Sequence, residues 1–269
     1  MIAVELTKMV RRPRTWASVA LLCALPTVVA LFVAARDIGP RPGEGPAFLS
    51  AVLNNGALYP AAALAIVLPI FLPVSVALMA GEAIAGEAST GTLRYLLIRP
   101  VSRTRLLVAK LVAIVAYVLG AVVIVALVSL VVGITLLGHQ RGSVVSVSGA
   151  NLTPTQVAVR MLLAVGYIGI SMVGVAAIAL FLSTVTDSSS GAALGALAAL
   201  VGSQILVSLE AASPVVPYLP TRYWLSWIDL FRDPILWRSL ERGVALQAVY
   251  AAVFLAVAWA NLATKDITS

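Results

Sequence analysis

The chain has 269 residues, 61% of them hydrophobic and only 11% charged, with a formal net charge of +7. A soluble domain carries about 25% charged residues. A chain this apolar cannot cover itself with polar surface, so a water-soluble globule is excluded and an integral membrane protein is expected. The positive charge does not point to nucleic acid, because the basic residues stand at the edges of apolar runs, where anionic head groups and the positive-inside bias account for them.

Residues 1–14 read MIAVELTKMVRRPR. Ile2, Leu6 and Met9 fall on one helical face with Val10 beside it, and Glu5, Lys8, Arg11 and Arg12 take the other side. This predicts an amphipathic helix lying in the membrane interface and stopped by Pro13. The uncharged run 15–35 is long enough to cross the hydrocarbon core and gives span one, with Trp16 placed for an interface. It lacks a clear cleavage site and is read as a span, not as a signal peptide. It also holds the only cysteine, Cys23, which excludes an intrachain disulfide. A polar Gly- and Pro-rich loop leads to span two, 56–81, where Pro60, Pro69 and Pro73 predict a kink or a partial break.

The segment from Glu82 to Lys110, EAIAGEASTGTLRYLLIRPVSRTRLLVAK, is the most charged internal stretch. Glu82 and Glu87 lie at its front edge; Arg94, Arg99, Arg103, Arg105 and Lys110 follow. Leu93, Leu96 and Leu97 recur at helical spacing, which predicts a short amphipathic helix outside the bilayer, opened by Gly91 and closed by Pro100. Span three follows within 106–137. Thr153 and Pro154 form a helix start, a capping hydroxyl with proline in the first helical position, and span four runs over 155–183. A tight turn holding Asp187 leads to span five, 191–209, where Gly191, Gly195, Ala198 and Gly202 make a small-residue face able to pack within the subunit or against a second copy. Ser203, Gln204 and Ser208 are its polar groups, able to line a path or to bond to neighbouring backbone, the latter being favoured. Segment 210–242 mixes charge with Tyr218, Tyr223, Trp224, Trp227, Phe231 and Trp237 and is read as short helices at the membrane surface, since such rings prefer the interface. Span six is 243–263. The fold class is therefore an all-α polytopic membrane protein: six spans in a single domain, 1–269.

Six spans place both termini on one side. Lys8, Arg11, Arg12 and Arg14, together with the basic residues of 82–110, assign that side to the cytoplasm. Catalytic constellations are not found. His139 is the only histidine, no metal-ligand spacing occurs, and neither HExxH nor GxSxG is present. Gly86 to Thr92 imitates the glycine spacing of a phosphate loop but lacks its lysine, and Glu87 would repel phosphate. No nucleotide site of its own is expected, and hence no enzyme activity in this chain.

Glu87, Gly91-Thr92-Leu93, Leu96-Leu97, Pro100-Val101-Ser102-Arg103 and Lys110 together resemble the first cytoplasmic loop of type-2 ABC exporter permeases, and Glu5-Leu6 through Arg11-Arg12-Pro13 resembles the N-terminal helix of that family. The resemblance implies that loop 82–105 carries a coupling helix docking on a separate ATPase subunit. Glu87, Gly91, Thr92, Leu93, Arg94, Leu96, Leu97, Pro100 and Arg103 would be its coupling residues. It also implies an assembly of two permeases, as a homo- or heterodimer, with two ATP-binding subunits that hold the ATP and magnesium. Spans one and five would lie near the subunit contact, making Gly191, Gly195, Gly202 and Gln204 candidates for pathway or dimer contacts. The expected function is export across the plasma or inner membrane. The scarcity of charge within the spans favours a lipidic, amphipathic drug-like or peptide substrate over a small ion. The competing reading, a membrane-embedded enzyme or a non-transporting scaffold, would need intramembrane ionisable groups or would have no use for a docking helix.

Overall fold

The computed structural model describes residues 1–36, 56–89, 102–138, 144–145, 148 and 151–264. Among these, eight α-helices form in chain order: α1 (Ile2–Arg11), α2 (Pro13–Arg36), α3 (Tyr59–Val67), α4 (Phe71–Ser89), α5 (Arg103–Leu136), α6 (Pro154–Val185), α7 (Ser189–Ser208) and α8 (Trp237–Thr264). Five of them are each long and apolar enough to cross a membrane, and the bent pair α3–α4 meets the same length and apolarity when taken together. This is the all-α polytopic architecture read from the sequence. A small antiparallel ribbon pairs Val144 with Leu152 and Val145 with Asn151.

The helix ends have local causes. Proline has no N–H and disfavours helical geometry in the residue before it. Arg12 accordingly turns extended (φ −78°, ψ 125°), ending α1. The carbonyls this frees are taken up across the elbow: Thr15 Oγ1 donates to Met9 O at 2.7 Å and Trp16 Nε1 to Val10 O at 2.8 Å. α6 starts where the Thr-Pro pair predicted. Thr153 and Gln156 form a reciprocal capping box, which satisfies two otherwise orphaned backbone donors. Ser102 and Ser188 cap α5 and α7 from one side only, their hydroxyls accepting from Arg105 N and Gly191 N.

The proline-rich span breaks as expected. α3 and α4 meet at a 59° bend over residues 68–70, which include Pro69. α4 then runs eight residues past Gly81, so Glu82 and Glu87 sit on its last turns and not in a loop. Each helix end can be assigned to one of two ends of the bundle. The base holds 1–14, the last turns of α4, the start of α5, the α6–α7 turn and the last turn of α8. The far end holds 137–138, 144–145, 148, 151–153 and 209–236. α6 is the central helix, wrapped by α4, α5, α7 and α8; α2 packs on α5 and α3. At the far end Gly56 and Gly133 touch backbone to backbone: a Cβ on Gly56 would lie 2.1 Å from Gly133 O, so a side chain at that crossing would push the broken span off α5.

The aromatic segment forms short 3₁₀ turns (Glu210–Ala212, Val216–Tyr218, Trp224–Phe231), and α8 starts at Trp237, earlier than the pattern suggested. Its rings divide. Tyr218 and Trp237 face outward as an interfacial segment should, whereas Trp224, Trp227 and Phe231 are fully buried, with Trp227 edge-on to Phe231. The last turn of this segment therefore belongs to the protein core and not to the lipid boundary.

Candidate functional site

The base of the bundle gathers charge where the sequence pattern did not predict it. In α1 the inward residue is Glu5, while Ile2 and Val10 are exposed. The helix thus turns Glu5 and Lys8, with Met9 beside them, to the protein and leaves Ile2, Val4 and Val10 outward, which suits an element lying flat in the interface. Lys110, two turns into α5, is the centre of the cluster, its side chain only 4% exposed. Its Nζ is 2.6 Å from Glu87 Oε1 of α4 and 3.1 Å from Glu5 Oε2 of α1. Lys8 Nζ bridges the same two carboxylates from outside, 3.2 Å from Glu5 Oε1 and 3.3 Å from Glu87 Oε1. Two anions and two cations thus balance in one buried clamp across α1, α4 and α5.

The electrostatics of Glu5 and Lys8 follow from competing effects. Burial alone would raise the Glu5 carboxyl, but Lys110 and Lys8 outweigh it and hold the group below its ordinary value. Burial alone would lower the Lys8 ammonium, but Glu87 and Glu5 outweigh that and raise it. Beside the clamp, Glu82 of α4 receives Arg14 at 2.6 Å and Arg12 at 4.0 Å. Between these groups and Ser89 and Ser189 lies an open groove of about 450 Å³.

The return side of the loop is fastened as well. Arg103, the first residue of α5, donates from its guanidinium to the carbonyls of Leu262 and Ala263, the latter at 2.6 Å. A cation at the C-terminal end of α8 takes up carbonyls that have no partner within the helix and meets the negative end of its dipole. One turn away Trp259 Nε1 donates to Thr104 Oγ1 at 2.9 Å.

A model of the family described as "ABC-2 family transporter protein" matches residues 1–225, which hold α1 to α7 and both shoulders of the loop. The chain belongs to this family. Among curated proteins, none matches it significantly. An ABC-2 membrane protein is the transmembrane component of an ABC transporter system, and membership implies an ATP-binding partner.

Of the coupling residues expected in this ABC-2 permease, Glu87 and Arg103 are described. Glu87 faces inward into the clamp and Arg103 reaches α8, so both act first as internal fasteners. Gly91, Thr92, Leu93, Arg94, Leu96, Leu97 and Pro100 lie outside the described residues. On α7, Gly191 and Gly195 are exposed, and no atom lies within 4 Å of where a Cβ on half-buried Gly202 would stand. Gln204 is half-buried. Ser203 is hydrogen-bonded to Thr221 at 2.7 Å and Ser208 to Ile205 O at 2.7 Å.

Sequence reading did not pair Glu5 with Lys110, although a signal was present. A lysine among apolar residues at the head of a span needs a counter-charge, and Glu5 with Lys8 offers the polar face of a helix that ends in a proline elbow. Arg160 carried a similar signal. It is buried in α6, donating to Arg232 O at 2.9 Å and standing 3.9 Å from Asp233 Oδ1.

Proposed function

We propose that this chain is the permease subunit of an ATP-driven exporter, docked through loop 82–105 on a separate ATP-binding subunit. One observation carries the reading: both shoulders of the loop are gripped by other elements. Glu82 and Glu87 lead into it and are held by Arg12, Arg14, Lys8 and Lys110. Arg103 leads out of it and is held by the last turn of α8. A push delivered between these shoulders reaches α1, α2, α5 and α8 together. A loop with no mechanical role would not need such fastening on both sides.

In this reading Leu93, Leu96 and Leu97 fill an apolar cleft on the partner, Arg94 adds an ion pair to it, and Gly91, Thr92 and Pro100 bound the docking helix. Both termini are cytoplasmic, in the plasma or inner membrane. Two permeases, identical or different, assemble with two ATP-binding subunits. These supply the ATP and magnesium chemistry, and this chain has no nucleotide site of its own. The exposed faces of α2 and α7, the latter with Gly191, Gly195, Gly202 and Gln204, support a subunit contact or a pathway there. A lipidic, amphipathic drug-like or peptide substrate leaves outward; support for that class comes from spans whose few charges lie toward their ends.

The test is gentle purification of the tagged chain. An ATP-hydrolysing subunit of the ABC type is expected to accompany it. Leu96→Asp is expected to remove that subunit while the chain remains in the membrane. Retention of the partner by this variant would refute the docking role. Impermeant labelling of single cysteines at 91–98 on intact cells should fail, because the loop lies inside; efficient labelling would reverse the orientation.

A further inference from the structure

α4 is built as two bodies. Above Gly81 its side chains Leu72, Val76, Ala77 and Ala80 are buried in the apolar core; below it, Glu82 and Glu87 are tied by charge to α1, α2 and α5. Between the two stands one side chain from another helix. Ser183, buried near the base end of α6, donates from Oγ to Gly81 O at 2.7 Å and accepts from Ala85 N at 2.8 Å and from Ile84 N at 3.0 Å. In a regular helix the N–H of residue 85 bonds the carbonyl of residue 81. The Ser183 hydroxyl stands within hydrogen-bond distance of both ends of that link and uses its donor and both acceptor positions there. Insertion of a side chain into the backbone ladder is a recognised cause of helix bending. On its other side the same turn meets α7: a Cβ on Gly81 would lie 2.9 Å from Ala193 N. The next residue of α6, Thr184, receives Asn261 Nδ2 of α8 at 3.1 Å. α4, α6, α7 and α8 are therefore registered on one another within about one turn.

We propose that Ser183 is a positioning residue, the pin on which the loop-bearing end of α4 pivots against its membrane-embedded part. Movement of 82–89 with α1 is turned at Gly81–Ala85 into movement of the upper α4 and, through the bend at 68–70, of α3. Without the hydroxyl, the base turns move and the upper helix no longer follows. This inference rests on the reading of loop 82–105 as the partner's attachment.

The experiment uses the full permease, co-purified with its ATP-binding subunit, in a Cys23→Ala background. Spin-label pairs are placed at exposed sites. Ser89 with Val185 reports the base; Ile70 with Val159 reports the far part of α4. Trapping the ATPase with ATP and orthovanadate is expected to change both distances in the otherwise native chain. In Ser183→Ala, partner binding and the base change should persist while the far change is lost, and Ser183→Thr, which keeps the hydroxyl, should restore it. A far change in Ser183→Ala equal to that of the native chain overturns the pin. Absence of any base change in the native chain overturns the docking reading instead, and the pin falls with it.

Discussion

The two ends of the bundle are fastened by different chemistry. At the far end, span side chains donate to backbone carbonyls of the irregular segment: Tyr167 to Tyr223 O at 2.7 Å, Gln247 to Pro220 O at 2.7 Å, Tyr250 to Tyr218 O at 2.9 Å and Arg160 to Arg232 O at 2.9 Å. Buried Trp224 and Trp227 fill the space beneath. At the base, Arg103 and Ser183 also donate to backbone carbonyls, but the joints between α1, α2, α4 and α5 are made by side-chain charges of both signs. A hydrogen bond to a fixed carbonyl is short-ranged and directional, so the far end behaves as a set cap. A cluster of ammonium and carboxylate groups keeps much of its attraction as the partners slide. At the base, α1, α4 and α5 can therefore shift against one another without coming apart, which suits the proposed docking role of the loop.

Removing the centre of the clamp should have the largest effect. Lys110→Met leaves Glu5 and Glu87 facing each other with only half-exposed Lys8 between them. Stripping one partner from a buried ion cluster costs about 3–5 kcal/mol. The thermal midpoint of the purified chain in detergent should fall accordingly. Glu5→Gln/Glu87→Gln/Lys110→Met, which removes the stranded charge, should recover most of the loss, and a triple variant as unstable as the single one would show that packing, not charge, holds the base.

Acid and alkali probe the same clamp more gently. The folded-state value of Glu5 is lowered from 4.5, so its stabilisation is complete above 4.5 and disappears as pH falls through the lowered value. That of Lys8 is raised from 10.5, so its stabilisation is complete below 10.5 and disappears as pH rises through the raised value. Stability attributable to these two groups should be flat from about pH 5 to 10. Unfolding midpoints of the native chain and of Glu5→Gln, measured from acid into that range, should keep a constant separation within it that narrows in acid below pH 4.5.

At the far end the expected losses are smaller. Gln247→Leu leaves Pro220 O without its donor, and an unsatisfied buried polar group costs about 1–3 kcal/mol. Gly174 faces this side chain with no Cβ, and one there would lie 2.0 Å from Gln247 Oε1, so the leucine cannot shift toward α6 to compensate. A loss as large as that of Lys110→Met would erase the distinction between the two ends.

The spans were legible because periodicity and apolar length are local properties: Thr153-Pro154 marked the start of α6, and Pro69 marked the bend. The inward face of α1 was not. Its pattern marked an interfacial helix, but not which residue meets the protein, and only the tertiary position of Lys110 turns Glu5 inward. The buried indoles failed for the same reason. Composition places Trp at an interface, and whether that interface is lipid or protein depends on how 210–236 folds back onto α6 and α8. Ser183 carried no signal at all, since a serine near a helix end is ordinary until Gly81 and Ala85 are seen beside it.

The weakest fastening at the base should be its most exposed one. Arg14 is 77% exposed although its contact with Glu82 is short. Water and salt screen such a pair, and holding two long side chains together costs conformational entropy, so Arg14→Ala should cost at most about 1 kcal/mol. The loss should shrink further as ionic strength rises, because exposed charges are screened within about 10 Å at 0.1 M salt. Lys110→Met should show almost no such salt dependence, since its partners are buried. Measuring both variants at low and high salt separates a surface pair from a buried joint on the same helix end. Equal salt sensitivity would mean that water reaches Lys110 and that the clamp is no more than a patch of surface charge.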